Sequence, residues 1–228
     1  TLKGFKLKIL IFAIIFAPIT FSLGVWQINR ANEKIEILEN YDKLLLSESL
    51  PLKKDHKNWQ PIKTSGQFKD LVIYEDNATL NGKAGFKIYH LFQNSDNSYI
   101  FVHRGFLERN TIKNNLPIVD VPLGNHDLKG KVLKRTSNSF IENVEESDLR
   151  IIQEFDLNYL KEKYSSLENI EIYNYLFNLE EENEMKFSAI ERPVNMSSSK
   201  HIGYAIQWFG LCLALIILTI YAYRRKDG

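Results

Sequence analysis

Two uncharged, apolar runs stand near opposite ends of the chain, and the pattern between them is of a different kind. From Ile9 to Asn29 no side chain is charged, and ILIFAIIFAPITFSLGVW is almost wholly apolar. A second uncharged run extends from Ile202 to Tyr223. Each is about 20 residues long, which as a helix matches a hydrocarbon core of roughly 30 Å. In lipid a helix satisfies its own backbone groups, so both runs are expected to be transmembrane helices, with Pro18 tolerated as a kink. After the first run, ANEKIEILENYDKLLLSES places Ile35, Leu38, Leu45 and Leu46 at helical spacing. That spacing predicts a first helix that continues out of the membrane and ends before Pro51.

From Trp59 onward the period changes. QPIKTSGQF, DLVIYED, FKIYHLFQ and SYIFVHRGF are short, rich in β-branched and aromatic residues, and bounded by turns at Asn81-Gly82 and Asn94-Ser95-Asp96-Asn97. HDLKGKVLKR, RIIQEF and IEIYNYLFNL read as later strands. DLNYLKEKY reads as a short helix with Asp156 as its N-cap. The fold class expected is an α+β membrane protein, in which N- and C-terminal transmembrane helices bracket a β-rich, mainly antiparallel extracytoplasmic domain. The divisions are 1–8 (cytoplasmic N-terminus), 9–29 (first span), 30–50 (juxtamembrane helix), 51–200 (β-rich domain), 201–223 (second span) and 224–228 (cytoplasmic tail).

Charge adds an orientation. Lys3, Lys6 and Lys8 precede the first run, while Arg224, Arg225 and Lys226 follow the second. Both ends are therefore expected on the cytoplasmic or matrix side, with the intervening domain outside. The first run exceeds the about 7–15 apolar residues of a signal peptide and lacks an A-x-A-like site, so it reads as an anchor. Only Arg224 to Gly228 follow the second run, so an output domain of the kind a two-span receptor needs is not expected. The formal net charge of +1 argues against general nucleic-acid binding, and the single Cys212 cannot form an intramolecular disulfide.

No nucleotide-binding loop, paired cysteine, His-Glu-x-x-His or Gly-x-Ser-x-Gly motif is present, so hydrolysis and phosphoryl transfer have no sequence support. Of the five histidines, His56, His90, His103 and His126 read as surface or strand residues. His201 opens the second run, with Tyr204, Ala205 and Trp208 at +3, +4 and +7 on its face. Two readings are open there: an axial ligand to a metal in a flat apolar cofactor such as haem, or an interfacial cap among ordinary belt aromatics. On the first helix Gln27, Arg30 and Lys34 fall at i, i+3 and i+7. The two cations are suited to anionic groups such as propionates, or equally to lipid phosphates. Gly203, Gln207, Gly210 and Ala214 form a small, partly polar stripe on the second helix, expected to pack against the first.

LGVWQINRANEK after the first run and HIGYAIQWFG opening the second, with SGQF, NGKAGFKIYHLF and YIFVHRGFLER in order between them, resemble the surfeit-one (Shy-type) family of cytochrome c oxidase assembly factors. Pro193 and Asn195 before His201 also fit, and the resemblance extends over nearly the whole chain. The family usually has an Asn pair where Ser199 and Lys200 stand, a Trp where Phe106 stands, and an Arg shortly before Gly82 that is absent here. The resemblance implies a multi-pass protein of the bacterial inner membrane, with a periplasmic central domain, that assists maturation of a haem-copper oxidase. It implies transient, non-covalent binding of haem a, delivery to the oxidase's large catalytic subunit and cooperation with other assembly factors. His201 corresponds to the family's helix-boundary histidine and so to the iron ligand, and Trp26, Gln27, Arg30 and Trp208 match further motif positions. Together with Tyr204 and Lys34 these are the candidate haem-binding residues.

A non-enzymatic haem chaperone is thus the leading expectation. A haem-independent scaffold that docks an oxidase subunit is the alternative. No acid–base pair or second redox centre points to an enzyme. Met185, Met196 and Cys212 form no recognisable soft-ligand cluster for copper, and the strand-rich middle lacks the long helical arms of polysaccharide chain-length regulators.

Overall fold

The structure is a computed structural model that describes residues 2–109, 116–135 and 148–224. Arg225 and Lys226 of the expected basic tail, and the side chain of Lys3, lie outside what is described. In chain order the elements are α1 (Leu2–Leu45), β1 (Leu50–Pro51), β2 (Pro61–Leu80), β3 (Lys83–Asn94), β4 (Tyr99–Glu108), β5 (His126–Leu133), β6 (Ile151–Ile152), α2 (Leu157–Lys163), β7 (Leu176–Leu179) and α3 (Ser198–Arg224). They form two compact units, residues 1–42 with 192–228, and residues 43–191.

The first unit is a pair of helices. Both are long and apolar enough to cross a membrane, and most of their apolar surface faces outward. Ile14 is 64% exposed and Leu218 63%, a pattern that water would penalise and lipid would not. α1 runs without a break through Pro18, past which the Thr20 hydroxyl donates to the carbonyls of Phe16 and Ala17 at 3.0 Å.

The helices meet along a narrow seam. On α1 it consists of Ala13, Ala17, Thr20, Gly24, Gln27 and Ala31; on α3 it consists of His201, Ala205, Trp208, Cys212, Leu215 and Thr219. Alternating steps of four and three residues on both sides are the spacing of a left-handed helix pair. The helices run antiparallel, since Cys212 Sγ donates to the Ala17 carbonyl at 3.4 Å while His201 meets Gln27. A Cβ on Gly24 would lie 2.6 Å from the Phe209 ring, so only glycine admits the ring there.

This corrects the expected packing face of α3. Gly203, Gln207, Gly210 and Ala214 are exposed, and a Cβ on Gly203 or Gly210 would meet nothing within 4 Å. Close approach needs small residues where the backbones meet. Gly24 and Ala31 on α1 and Ala205 on α3 supply them, while His201 and Trp208 bring larger side chains to the same seam.

The second unit is built around one long hairpin. Asn81 and Gly82 have φ of +52° and +80°, the paired left-handed conformation of a two-residue hairpin turn. The expected segments QPIKTSGQF and DLVIYED are one strand, β2, bent by irregularities between Phe68 and Val72 and between Glu75 and Ala78. Around the bend β2 pairs with β3 and also with β5, so that Gly66 faces both Asn94 and His126. The pairings β2–β3–β4–β7–β5–β2 therefore close on themselves.

The expectation of a mainly antiparallel sheet is corrected to a mixed one. β1–β2, β2–β6 and β4–β7 are parallel. Parallel neighbours need long crossovers, which leave no local turn signal in the sequence. β7 reaches β4 only after α2 has been laid down.

Alternation along the strands sorts two cores. Ile100 and Val102 point into the ring with Ile62, Phe92, Leu128 and Phe177. Phe101, between them, points outward to join Ile73, Tyr89, Leu133 and Leu160 of α2. Asp156 caps α2 as expected, accepting from the backbone N–H groups of Asn158 and Tyr159 at 2.8 and 3.2 Å.

The His103-Arg104-Gly105 run occupies a break in the β3–β4 register, where Tyr89 pairs with His103 and Ile88 with Gly105. Gly105 has φ of +103°, and a Cβ would lie 2.6 Å from the Ser188 carbonyl oxygen. Arg104, turned aside by the break, donates to the carbonyls of Met185 at 2.9 Å and Asp120 at 3.2 Å. Its guanidinium also lies 4.8 Å from the centroid of the Phe187 ring. We expect Gly105→Ala to destabilise the protein by about 3 kcal/mol, combining backbone strain with that contact. Denaturant unfolding in detergent followed by tryptophan fluorescence measures it, and an unchanged midpoint would contradict the role given to Gly105.

Candidate functional site

His201 lies in the first turns of α3, and the seam turns it toward α1. Its Nδ1 is 2.7 Å from Gln27 Oε1, and both side chains are buried. Ala31 and Ala205, each 1% exposed, line the seam beside the pair and let the backbones approach. Among the described residues, Nε2 of His201 has no hydrogen-bond partner.

The other sequence candidates divide between seam and surface. Trp208 and Lys34 are half-buried, on the seam side of their helices. Trp26 and Tyr204 are exposed, at 48% and 45%, and present flat apolar faces outward. Arg30 is also exposed; its guanidinium lies 5.7 Å from the Trp26 ring centroid and donates to Glu33 Oε2 at 2.6 Å. Thus Gln27, Arg30 and Lys34 do not act as one stripe. Gln27 is taken up by His201, Arg30 is paired within its own helix, and Lys34 makes no ion pair with a described residue. No group of three or more His, Cys, Asp or Glu side chains able to hold a metal ion occurs among the described residues.

Sequence reasoning missed a buried charged network in the 43–191 unit. Glu75 is paired with Lys87 Nζ at 3.3 Å and Arg135 at 3.1 Å, and accepts from the Tyr89 hydroxyl at 2.9 Å and the Phe155 N–H at 3.0 Å. Lys87 also reaches Glu191 at 2.9 Å. Burial alone would raise the Glu191 carboxyl, but the charges of Lys87 and Arg135 outweigh it and hold the carboxyl low. The network ties Glu191, near the end of the unit, to the middle of the hairpin. Glu75 and Lys87 are directly opposite across the two strands, a register set by the irregularity between Glu75 and Ala78.

His90 and His103, expected as surface or strand residues, are strand residues that are wholly buried. His90 donates from Nε2 to the Lys69 carbonyl at 2.8 Å and receives Arg104 on Nδ1 at 3.2 Å. His103 Nδ1 donates to Asn178 Oδ1 at 3.0 Å. Burial is the main force holding both neutral, pulling His90 down to about 4 and His103 to about 3.

Two helices long and apolar enough to cross a membrane, flanking a closed mixed sheet in sequence and sharing a buried His–Gln pair on their seam, define the class: a protein with two terminal apolar helices and a single β-rich unit. The SURF1 family model matches residues 14–213, and the chain belongs to the SURF1 family. The SURF1-like protein of Rickettsia felis is 27% identical over 227 residues, spanning 93% of this chain and 95% of its own length. The SURF1-like protein of Rickettsia bellii is 25% identical, spanning 93% and 88%. Surfeit locus protein 1 of the rat is 26% identical, spanning 93% and 74%.

The two buried histidines set an acid limit on stability. In the unfolded chain each titrates at about 6.5, well above its folded value. Below that pH the unfolded state binds protons the folded state refuses, so their contribution is complete above about pH 6.5 and falls toward pH 4. With both groups acting, the slope approaches about 2.7 kcal/mol per pH unit. Urea midpoints between pH 7.5 and 4.5 should fall accordingly, and more gently in His90→Gln. Equal slopes in that variant and the wild type would contradict the assignment.

Proposed function

We propose that this protein is a non-enzymatic assembly factor for a haem-copper (cytochrome c) oxidase. It binds haem a non-covalently beside His201 and assists its delivery to the large catalytic subunit, with other assembly factors. The observation that carries this is the His201 side chain: buried, held through one ring nitrogen, and with no partner among the described residues on the other. That donor chemistry fits an axial ligand to haem iron. Membership of the SURF1 family, known generally for oxidase assembly factors, supports the destination.

α1 and α3 anchor the chain in the bacterial inner membrane. Lys3, Lys6 and Lys8 before the apolar run, and Arg224 after the second, favour both termini on the cytoplasmic side, with residues 51–200 in the periplasm. His201 then stands at the outer bilayer boundary. Haem, when bound, supplies the iron centre on which the oxidase depends. The chain's residues hold and orient it. His201 offers one imidazole, Trp26 and Tyr204 offer flat apolar faces, and Trp208 backs the histidine along α3. Lys34 is available to a propionate, and Arg30 serves the same end by exchanging Glu33 for it, its fork suiting a carboxylate. One protein ligand and no covalent attachment suit a carrier that must let go.

A haem-independent scaffold is the second reading. Ile118 and Leu123, 90% and 89% exposed on the 43–191 unit, favour it as apolar surface available to an oxidase subunit.

The test is to purify the wild type and His201→Ala from cells that make haem a. We expect haem with the wild type, little with the variant, and equal folded yield. Stoichiometric haem in the variant would sink His201 as the ligand. Co-purification of the oxidase subunit with haem in neither partner would favour the scaffold.

A further inference from the structure

An imidazole can present either ring nitrogen to a metal, and which one is free depends on where the other's proton is held. At His201 the contact of Nδ1 with Gln27 Oε1, 2.7 Å long, decides this. A carboxamide oxygen has lone pairs and no proton, so the ring must donate, placing the proton on Nδ1 and the lone pair on Nε2. The opposite amide orientation would put the proton on Nε2 and close that nitrogen to iron.

The pair is built into the fold. Gln27 is buried on the seam, with Gly24 and Ala31 one turn to either side, so its carboxamide meets α3 at close range. A buried amide opposite a buried imidazole, each 9% exposed, has little access to other hydrogen-bond partners. Leaving either group unpaired there costs more than in water. Hydrophobic packing alone would be better served by a leucine at position 27.

We infer that Gln27 is a positioning residue that fixes His201 in its Nδ1-protonated tautomer and so presents Nε2 as the donor; this rests on the haem-binding reading above. Gln27 thus leaves the propionate side of the site, where Arg30 and Lys34 remain. By accepting a hydrogen bond from Nδ1–H it also raises the electron density of the ring, which favours ferric iron.

The experiment separates the two claims because its first half uses no haem. Protein labelled with ¹⁵N-histidine, in lipid nanodiscs and haem-free, reports the His201 tautomer by NMR. We expect protonated Nδ1 in the wild type, its loss in Gln27→Leu, and its return in Gln27→Glu, whose carboxylate accepts the same bond. Protonated Nε2 in the wild type, or a tautomer unmoved in Gln27→Leu, overturns the inference whatever haem does. The second half adds haem a: Gln27→Leu should weaken binding roughly tenfold or more, raise the midpoint potential and shift the Soret band, with Gln27→Glu restoring all three. Unchanged affinity and potential in Gln27→Leu overturn the iron-directed part. A wild type with the expected tautomer that binds no haem overturns the haem reading, and the tautomer assignment survives it.

Discussion

The close approach of two helices through small side chains is the constraint on which the candidate site depends. Gly24 accepts the Phe209 ring where any Cβ would intrude at 2.6 Å, and Ala31 and Ala205 remove bulk beside His201. Only at that separation can Gln27 and His201 share a 2.7 Å hydrogen bond. In lipid, where apolar surface gains nothing by pairing with other apolar surface, packing and such polar contacts decide which helix faces meet. The seam and the site are therefore one feature: the residues that join the helices also orient the imidazole.

The 43–191 unit solves a different problem with similar means. Its ring pairs β2 with β3 along most of their length and admits β7 only between β4 and β5. Gly105 and Arg104 fasten the 185–188 stretch to the broken β3–β4 register, and the Glu75–Lys87–Glu191 network fastens its continuation. The Arg-Gly run inside the family-like block is thus accounted for by backbone geometry and hydrogen bonding. It makes no demand for a ligand.

Much of this was legible in sequence, and the limits have physical causes. The apolar runs, the Asn81-Gly82 hairpin and the Asp156 cap are local signals, and each stands where it was expected. The mixed character of the sheet was not legible, because parallel pairing is made by crossover rather than by a turn. Nor was the Glu75–Lys87 pair. Counting back from Leu80↔Lys83 at the turn sets Glu75 opposite Ile88, and the irregularity between Glu75 and Ala78 moves it to Lys87. His201 stood out by its place at the end of an apolar run. Gln27 was seen only as part of a stripe with Arg30 and Lys34, since periodicity gives a helix face but not the partner that covers it. The stripe Gly203, Gln207, Gly210 and Ala214 pointed to the wrong face of α3, because small size alone does not show which face a partner helix covers.

The central claim is that the His201 imidazole serves oxidase maturation rather than helix packing alone. The most direct measurement is the haem a content of the oxidase itself, purified from cells whose only copy of this protein carries His201→Ala at normal membrane abundance. The account predicts oxidase with markedly less haem a per large subunit than in wild-type cells. A full complement of haem a in that oxidase would contradict it.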